Sequence, residues 1–462
     1  LPARVRGAKA RCQVDSVHAP TPEQSAGAAP DLAAALTLTR ADIAQNSLGL
    51  TGAGIKVAII DSGIDIDHPA FGGSGVPGGT SFPTTRIVAG WDFVGDDYNA
   101  GGTGSALIPM PDPNPDDCGG HGTHVAGIVG ANGGGLKGVA PDVKLGAYRV
   151  FGCDGSTTSD IILEAMERAL ADGMQVINMS LGARAQWPQY PTGQAATRLA
   201  KKGVGVVGST GNDGRGGSAP DGLYAAGAPG TGEGVIAVAS FDNAQSTGPA
   251  FRANPGNLLI AFNPATAAPT PPTSGTVPLS PPSGLNTACA AADLAGFPAG
   301  HIALISRGTC SFHQKAVNAQ NAGAAGVVMY NNAAGPVNPT VAGPVPITIP
   351  YVAILQTDGQ ALLGLANPTL TWGTEVKTTP LATAGLISGF SSFGLAADLS
   401  FKPNVGAPGG SIYSSYPLER GAAASLSGTS MSSPHVAGAT ALILQAKPHA
   451  ALGRDSAIVG RN

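Results

Sequence analysis

The chain has 462 residues, enough for two or three domains, and its 25 basic and 29 acidic residues leave a net charge of −4. Sparse, slightly negative charge gives no electrostatic case for nucleic-acid binding, and no apolar run approaches the roughly 18 residues that span a bilayer, so neither partner is expected. Gly and Pro are abundant, at 68 and 38 residues, but they alternate with apolar runs, which points to loop-rich globular structure rather than disorder.

In chain order, "IKVAIID" (55–61) is a continuous apolar run ending in an acid, the pattern of a buried parallel strand. "HGTHVAGIVGA" (121–131) starts polar and turns apolar with helical spacing, and "VKLGAYRV" (143–150) reads as a strand. "TSDIILEAMERALADG" (158–173) is an amphipathic helix, with Thr158 or Ser159 as cap and Gly173 as stop. "MQVINMSLG" (174–182) is a strand, "GQAATRLAKKG" (193–203) a helix, and "VGVVGSTGN" (204–212) and "GVIAVAS" (234–240) are strands. Strands alternating with helices predict an α/β fold with a doubly wound, mostly parallel sheet. Sites in such sheets lie beyond the carboxyl ends of the strands, where Asp61 and Asn212 both fall.

From residue 246 the texture changes. "NPATAAPTPPTSGTVPLSPPSG" (263–284) reads as a Pro-rich linker or extended edge. "GHIALISRGTCSFHQKAVNAQNAGAAGVVMYNN" (300–332) gives strand, turn, helix, strand, and "GLISGFSSFG" (385–394) and "FKPNVGAPGGSIYSS" (401–415) resume the earlier style. The expected plan is one α/β domain, 31–245 with 381–462, interrupted by a smaller α/β domain at 246–380, since insertions are tolerated at exposed loops.

Acyl transfer by serine needs a hydroxyl, a base, an acid that orients the base, and donors for the oxyanion. Asp61 in "AIIDSGID" fits the orienting acid or a turn cap. His121 and His124 in "GGHGTHVAG" lack the i,i+4 spacing, with an intervening Glu, of helical zinc ligands. His121 at the helix front suits a general base, and His124 suits a structural role. Asn212 in "STGNDG" is an oxyanion donor or a left-handed turn residue. Ser430 in "SGTSMSSPHVAG" is a nucleophile at a helix N-terminus or simply an N-cap. Locally, each pair of readings stays open.

The segments "VAIIDSGID", "GHGTHVAG" and "GTSMSSPHVAGATALI", in that order, resemble the Asp, His and Ser signatures of the subtilases. The order differs from that of chymotrypsin-type proteases and of α/β-hydrolases, and "GTSMS" lacks the second glycine of a Gly-x-Ser-x-Gly elbow. The resemblance implies a secreted serine endopeptidase that hydrolyses protein and peptide substrates through an acyl-enzyme. Asp61 would orient His121, His121 would serve Ser430 as base, and Asn212 with the Ser430 N–H would bind the oxyanion. Ser180, Leu181 and Gly182 would pair with an extended substrate, and Gly211 would flank the pocket before the scissile bond. No organic cofactor is implied. A catalytically silent peptide-binding protein and a transpeptidase or ligase are the rival functions, and the intact set of four residues speaks against the first.

Residues 300–332 resemble the core of a protease-associated domain, which implies a part in screening or positioning substrates or in supporting assembly; a passive lid or spacer fits as well. Residues 1–30 are expected to be a prosegment tail and lead-in. "ALGRDSAIVGRN" (451–462) departs from the helix the family places there, so a truncated C-terminus is expected.

The five cysteines form no C-x-x-C pair. A Cys289–Cys310 bridge within the second domain and a Cys118–Cys153 bridge beside His121 are expected, with Cys12 left over, which implies an oxidising compartment. Asp92, Asp96, Asp97, Asp112, Asp116 and Asp117 make the loop 92–117 acidic. A solvated loop that favours basic substrates is the simpler reading, ahead of calcium. The calcium site that subtilases often carry after the His helix is not expected, because "ANGGGLKG" (131–138) has no carboxylate. Asn178 sits in a glycosylation pattern, N-M-S, but in a core strand, so it is discounted.

Overall fold

The apolar runs become a buried sheet in the computed structural model, which describes residues 11–13 and 30–447 except 154, 215–223, 266, 283–286, 309, 334–336, 338 and 342. The expectations for 451–462, and for 1–30 beyond the backbone of Arg11–Gln13 and Pro30, lie outside the described residues. The described chain divides into two compact units, one formed by 31–244 with 385–447 and joined by Arg11–Gln13, the other by 245–384.

In the first unit seven strands lie in the order Val405–Gly410, Ile236–Asp242, Gly205–Ser209, Val176–Met179, Lys56–Asp61, Lys144–Arg149, Ile87–Asp92. Every neighbouring pair is parallel. Helices cover both faces, so the strands need no polar alternation. Ala58 and Ile60 pack toward the helices Ser159–Ala171 and Pro191–Lys201. Val57, Ile59 and Asp61, one residue out of phase, face the other way, toward the helix His121–Gly130, which packs against the long helix Thr429–Ala446. The chain winds one way from Lys56–Asp61 and the other way from Val176–Met179. These two strands therefore flank the switch point, the place where such sheets open a crevice. Asp61 ends one of them and Ser180 follows the other.

Outside the main sheet, Arg11–Gln13 pairs antiparallel with Ser156–Thr158, Cys12 opposite Thr157. The segment after the His helix closes into a two-stranded hairpin, Asn132–Gly133 with Leu136–Lys137. A disulfide joins Cys118 to Cys153; the side chain of Cys12 lies outside the described residues.

The second unit holds a mixed sheet. Thr276–Ser280, Ile302–Ser306, Gly326–Tyr330 and Tyr351–Ile354 run parallel, and the other strands join antiparallel. Ser311 caps the helix Phe312–Asn321 by accepting from Gln314 N at 3.1 Å, and a disulfide joins Cys289 to Cys310. One expectation is corrected here. The Pro-rich stretch contains the strand Thr276–Ser280, set between Thr369–Thr371 and Ile302–Ser306 and not at an edge. Pro278 is tolerated because pairing with Ile302–Ser306 starts only at Leu279, and on the other side it is Leu279 N, not the proline, that donates, to Pro368 O at 2.8 Å.

Candidate active site

Asp61 receives two hydrogen bonds on Oδ1, from Ser62 N at 2.8 Å and from His121 Nδ1 at 2.7 Å. Asp61 is 1% exposed and His121 8%, so the pair is shielded from water. The histidine is delivered by a tight entry to its helix. Gly120 has φ +98°, and a Cβ there would meet the ring of Tyr416 at 2.4 Å. As a glycine at the N-cap, Gly120 offers no side chain to the free N–H groups of the first turn. Asp117 satisfies them from outside. It accepts from Gly119 N and Gly120 N at 2.8 Å, from Thr123 N at 3.0 Å and from Thr123 Oγ1 at 2.6 Å. It also accepts from Ser62 Oγ at 3.0 Å, and Ser62 Oγ accepts from Gly122 N at 2.9 Å. The residue after Asp61 is thereby tied to the helix that carries His121.

Ser430 lies in the first turn of Thr429–Ala446 and is fully buried. Its hydroxyl donates to Ser180 O at 3.1 Å, and its carbonyl accepts from Ser180 Oγ at 2.7 Å. Asn178, fully buried, donates to Ser180 Oγ at 3.0 Å and accepts from Ser433 Oγ at 2.6 Å, so its amide is built into the core.

Asn212 follows Gly205–Ser209 and stands beside Ser430 through Thr429. Its Oδ1 accepts from Thr429 N and from Thr429 Oγ1, both at 2.9 Å. That fixes the amide so that Nδ2 is the end left to donate elsewhere. Gly211, with φ +112°, donates its N–H to Thr429 Oγ1 at 3.3 Å, and a Cβ there would meet Ser392 Oγ at 2.9 Å. Leu181 is buried and Gly182 half-buried; Gly182 precedes an isolated antiparallel bridge between Ala183 and Ala228.

The sequence model of the subtilase family matches residues 52–456. This chain belongs to the subtilase family. It is 36% identical over 417 residues to the minor extracellular protease Vpr of Bacillus subtilis strain 168, an alignment covering 87% of this chain and 47% of that protein. It is 34% identical over 361 residues to the PI-type proteinase of Lactococcus lactis subsp. cremoris, covering 71% of this chain and 19% of that protein. The chain thus spans about half the length of the first relative and about a fifth of the second. Among solved structures, a psychrophilic subtilisin-like protease from Pseudoalteromonas sp. AS-11 superposes with a TM-score of 0.50 at 20% identity, over 91% of this chain and 88% of that one, a likeness of fold.

The acidic loop of this subtilase is not uniformly solvated, which corrects the sequence reading. Asp96, Asp97 and Asp112 are exposed, but Asp92 and Asp117 are buried and Asp116 is half-buried. Asp92 accepts from Val94 N and Gly95 N and pairs with Arg149 at 3.1 Å. Asp116 accepts from Ile66 N at 3.1 Å, and burial pushes its carboxyl above the ordinary range. These acids serve the backbone. Among the described residues, the one group of three metal-type donors within 4.8 Å of one another is Asp96, Cys118 and Cys153, and its two sulfurs are bonded to each other.

His124 is fully buried, and its Nε2–H is shared between Ile412 O and Ala424 O at 3.0 Å each. Burial, and then the neighbouring His121, push its pKa down to about 3. The unfolded chain protonates this imidazole below about pH 6.5 while the folded chain keeps it neutral. Its stabilisation is therefore present above pH 6.5 and lost as pH falls toward 3, by at most about 5 kcal/mol over the whole window. Asp65, raised to about 7 chiefly by burial, acts in the opposite direction between about pH 4 and 7. The His124→Gln variant separates the two. Calorimetry from pH 7 to 4 is expected to show a steeper fall in Tm for the parent than for the variant.

Proposed function

We propose that the first unit is the catalytic domain of a secreted serine endopeptidase, with Asp61, His121 and Ser430 as its triad. The buried 2.7 Å pair of His121 and Asp61 beside the switch point carries this reading. Asp61 holds Nδ1–H, so Nε2 is the nitrogen that accepts the Ser430 proton as Oγ attacks the scissile carbonyl. For this step the Ser430 hydroxyl turns from Ser180 O to the imidazole. Asn212 Nδ2 and the Ser430 N–H stabilise the oxyanion. His121 then protonates the leaving amine, and water hydrolyses the acyl-enzyme by the reverse path.

An extended peptide would lie along Ser180, Leu181 and Gly182, with Gly211 flanking its pocket. Ser156–Thr158 is a second place where a strand can add, because Arg11–Gln13 already pairs there. We assign 245–384 as a protease-associated domain that screens or positions protein substrates. Secretion is supported by the two disulfides and by a relative named as an extracellular protease.

The test is labelling by a fluorophosphonate probe, with circular dichroism as the check on folding. The chain is expected to be labelled and Ser430→Ala to be unlabelled. A folded chain that resists the probe would sink the reading in favour of a silent peptide binder. Product analysis with an added amine nucleophile separates hydrolysis from transpeptidation.

A further inference from the structure

The helix that carries Ser430 has an interruption in its hydrogen bonding. Pro434 lies inside it and has no N–H. In a regular helix that N–H would bond to the carbonyl four residues back, which is Ser430 O. The freed carbonyl instead accepts from Ser180 Oγ at 2.7 Å. Ser180 Oγ is itself oriented by Asn178 Nδ2 at 3.0 Å, and Asn178 Oδ1 by Ser433 Oγ at 2.6 Å. The relay starts and ends in the helix and passes through the segment that ends a switch-point strand. Asn178, Ser180, Ser430 and Ser433 all have 0% exposure, so water cannot stand in for a missing partner.

Building on the reading of Ser430 as nucleophile, we propose that Ser180 is a positioning residue: its hydroxyl replaces the helix bond that Pro434 removes, and so fixes the peptide unit of Ser430. That unit, which joins Ser430 to Met431, anchors the Ser430 Cα from its carbonyl side, and with it the side chain that must reach His121 and the N–H of the preceding unit that must face the oxyanion. Asn178 acts one step behind, by keeping the Ser180 hydrogen pointed at the carbonyl. The residue thus does more than line the substrate strand, a role its backbone alone would fill.

The experiment is a double-mutant cycle. Ser180→Ala leaves a buried carbonyl without a donor, and Pro434→Ala returns an N–H at the position the helix expects. Ser180→Ala is expected to lower kcat about 10- to 100-fold, with KM changed less than about threefold. The double variant is expected to recover to within about threefold of Pro434→Ala alone. Hydrogen exchange of the amides of residues 430–433 and 435 is expected to quicken in Ser180→Ala and to slow again in the double variant. Unchanged kcat in Ser180→Ala, a loss confined to KM, or losses that add without rescue would each overturn the proposal. Where Ser180→Ala does not fold, Ser180→Cys keeps the shape with a weaker donor; an intermediate loss supports the proposal and parental kcat defeats it. Exchange does not depend on catalysis. A parent that resists the probe would refute the nucleophile, while exchange would still decide whether Ser180 holds the helix.

Discussion

Replacing Asp61 by Asn is expected to lower kcat about 10⁴-fold while leaving KM within about threefold. The shape of the side chain is kept, so substrate binding has no reason to change. The hydrogen bonding cannot be kept. Oδ1 of Asp61 serves both Ser62 N and His121 Nδ1, and among the described residues no hydrogen-bond partner reaches Oδ2. An asparagine that leaves its carbonyl oxygen at Oδ1 buries two N–H donors where nothing accepts them. Turned over, its NH2 opposes Ser62 N–H and donates to Nδ1, which forces the other tautomer, with the proton on the nitrogen that should receive one. Either way the imidazolium formed during the reaction loses its negative partner in a water-poor site. Steady-state hydrolysis of one peptide decides the matter. A loss below about tenfold would mean that Asp61 does not orient the base.

How much of this was legible in the sequence differs between elements for physical reasons. "KVAIID" and "VINM" read as strands because a parallel strand covered on both faces must be apolar at every position. The motifs around Asp61, His121 and Ser430 are short, ordered and dense in small residues, which is why they could be matched at all. Asp117 was read as part of a solvated loop, yet it organises the entry to the His121 helix. A usable signal was present: a helix whose N-cap is glycine needs an outside acceptor for its first N–H groups, and Asp117 is the nearest acid before it. The relay from Asn178 through Ser180 to Ser430 joins residues about 250 positions apart, and no periodicity reports such a contact. Only Pro434 hinted at it, by leaving one carbonyl of a buried helix to be satisfied elsewhere. The strand Thr276–Ser280 was hidden because Pro278 and the prolines around the strand mimic a linker, and a proline placed where no ladder N–H is needed cannot be told from one in a loop by composition.

Asn212 carries the other large expected effect. On the proposed mechanism, Asn212→Ala should lower kcat about 10²- to 10³-fold with little change in KM, the cost of one oxyanion donor that acts in the transition state more than in the ground state. The orientation of the amide is what makes the donor usable. Thr429 N and Thr429 Oγ1 both hold Oδ1, and Nδ2 lies 3.4 Å from where a Cβ on Gly428 would sit, two residues before Ser430. Asn212→Asp keeps the shape and both Thr429 bonds but turns a second carboxylate oxygen toward the developing oxyanion, so it should fall below Asn212→Ala. Thr429→Val keeps the backbone bond, removes the hydroxyl bond and deprives Gly211 N of its acceptor. The amide is then held by one tie instead of two, and kcat should drop only about 5- to 10-fold. The expected order of kcat is therefore parent, Thr429→Val, Asn212→Ala, Asn212→Asp. An Asn212→Asp variant with parental kcat would mean that the Nδ2 end never donates, and that the oxyanion depends on the Ser430 N–H alone.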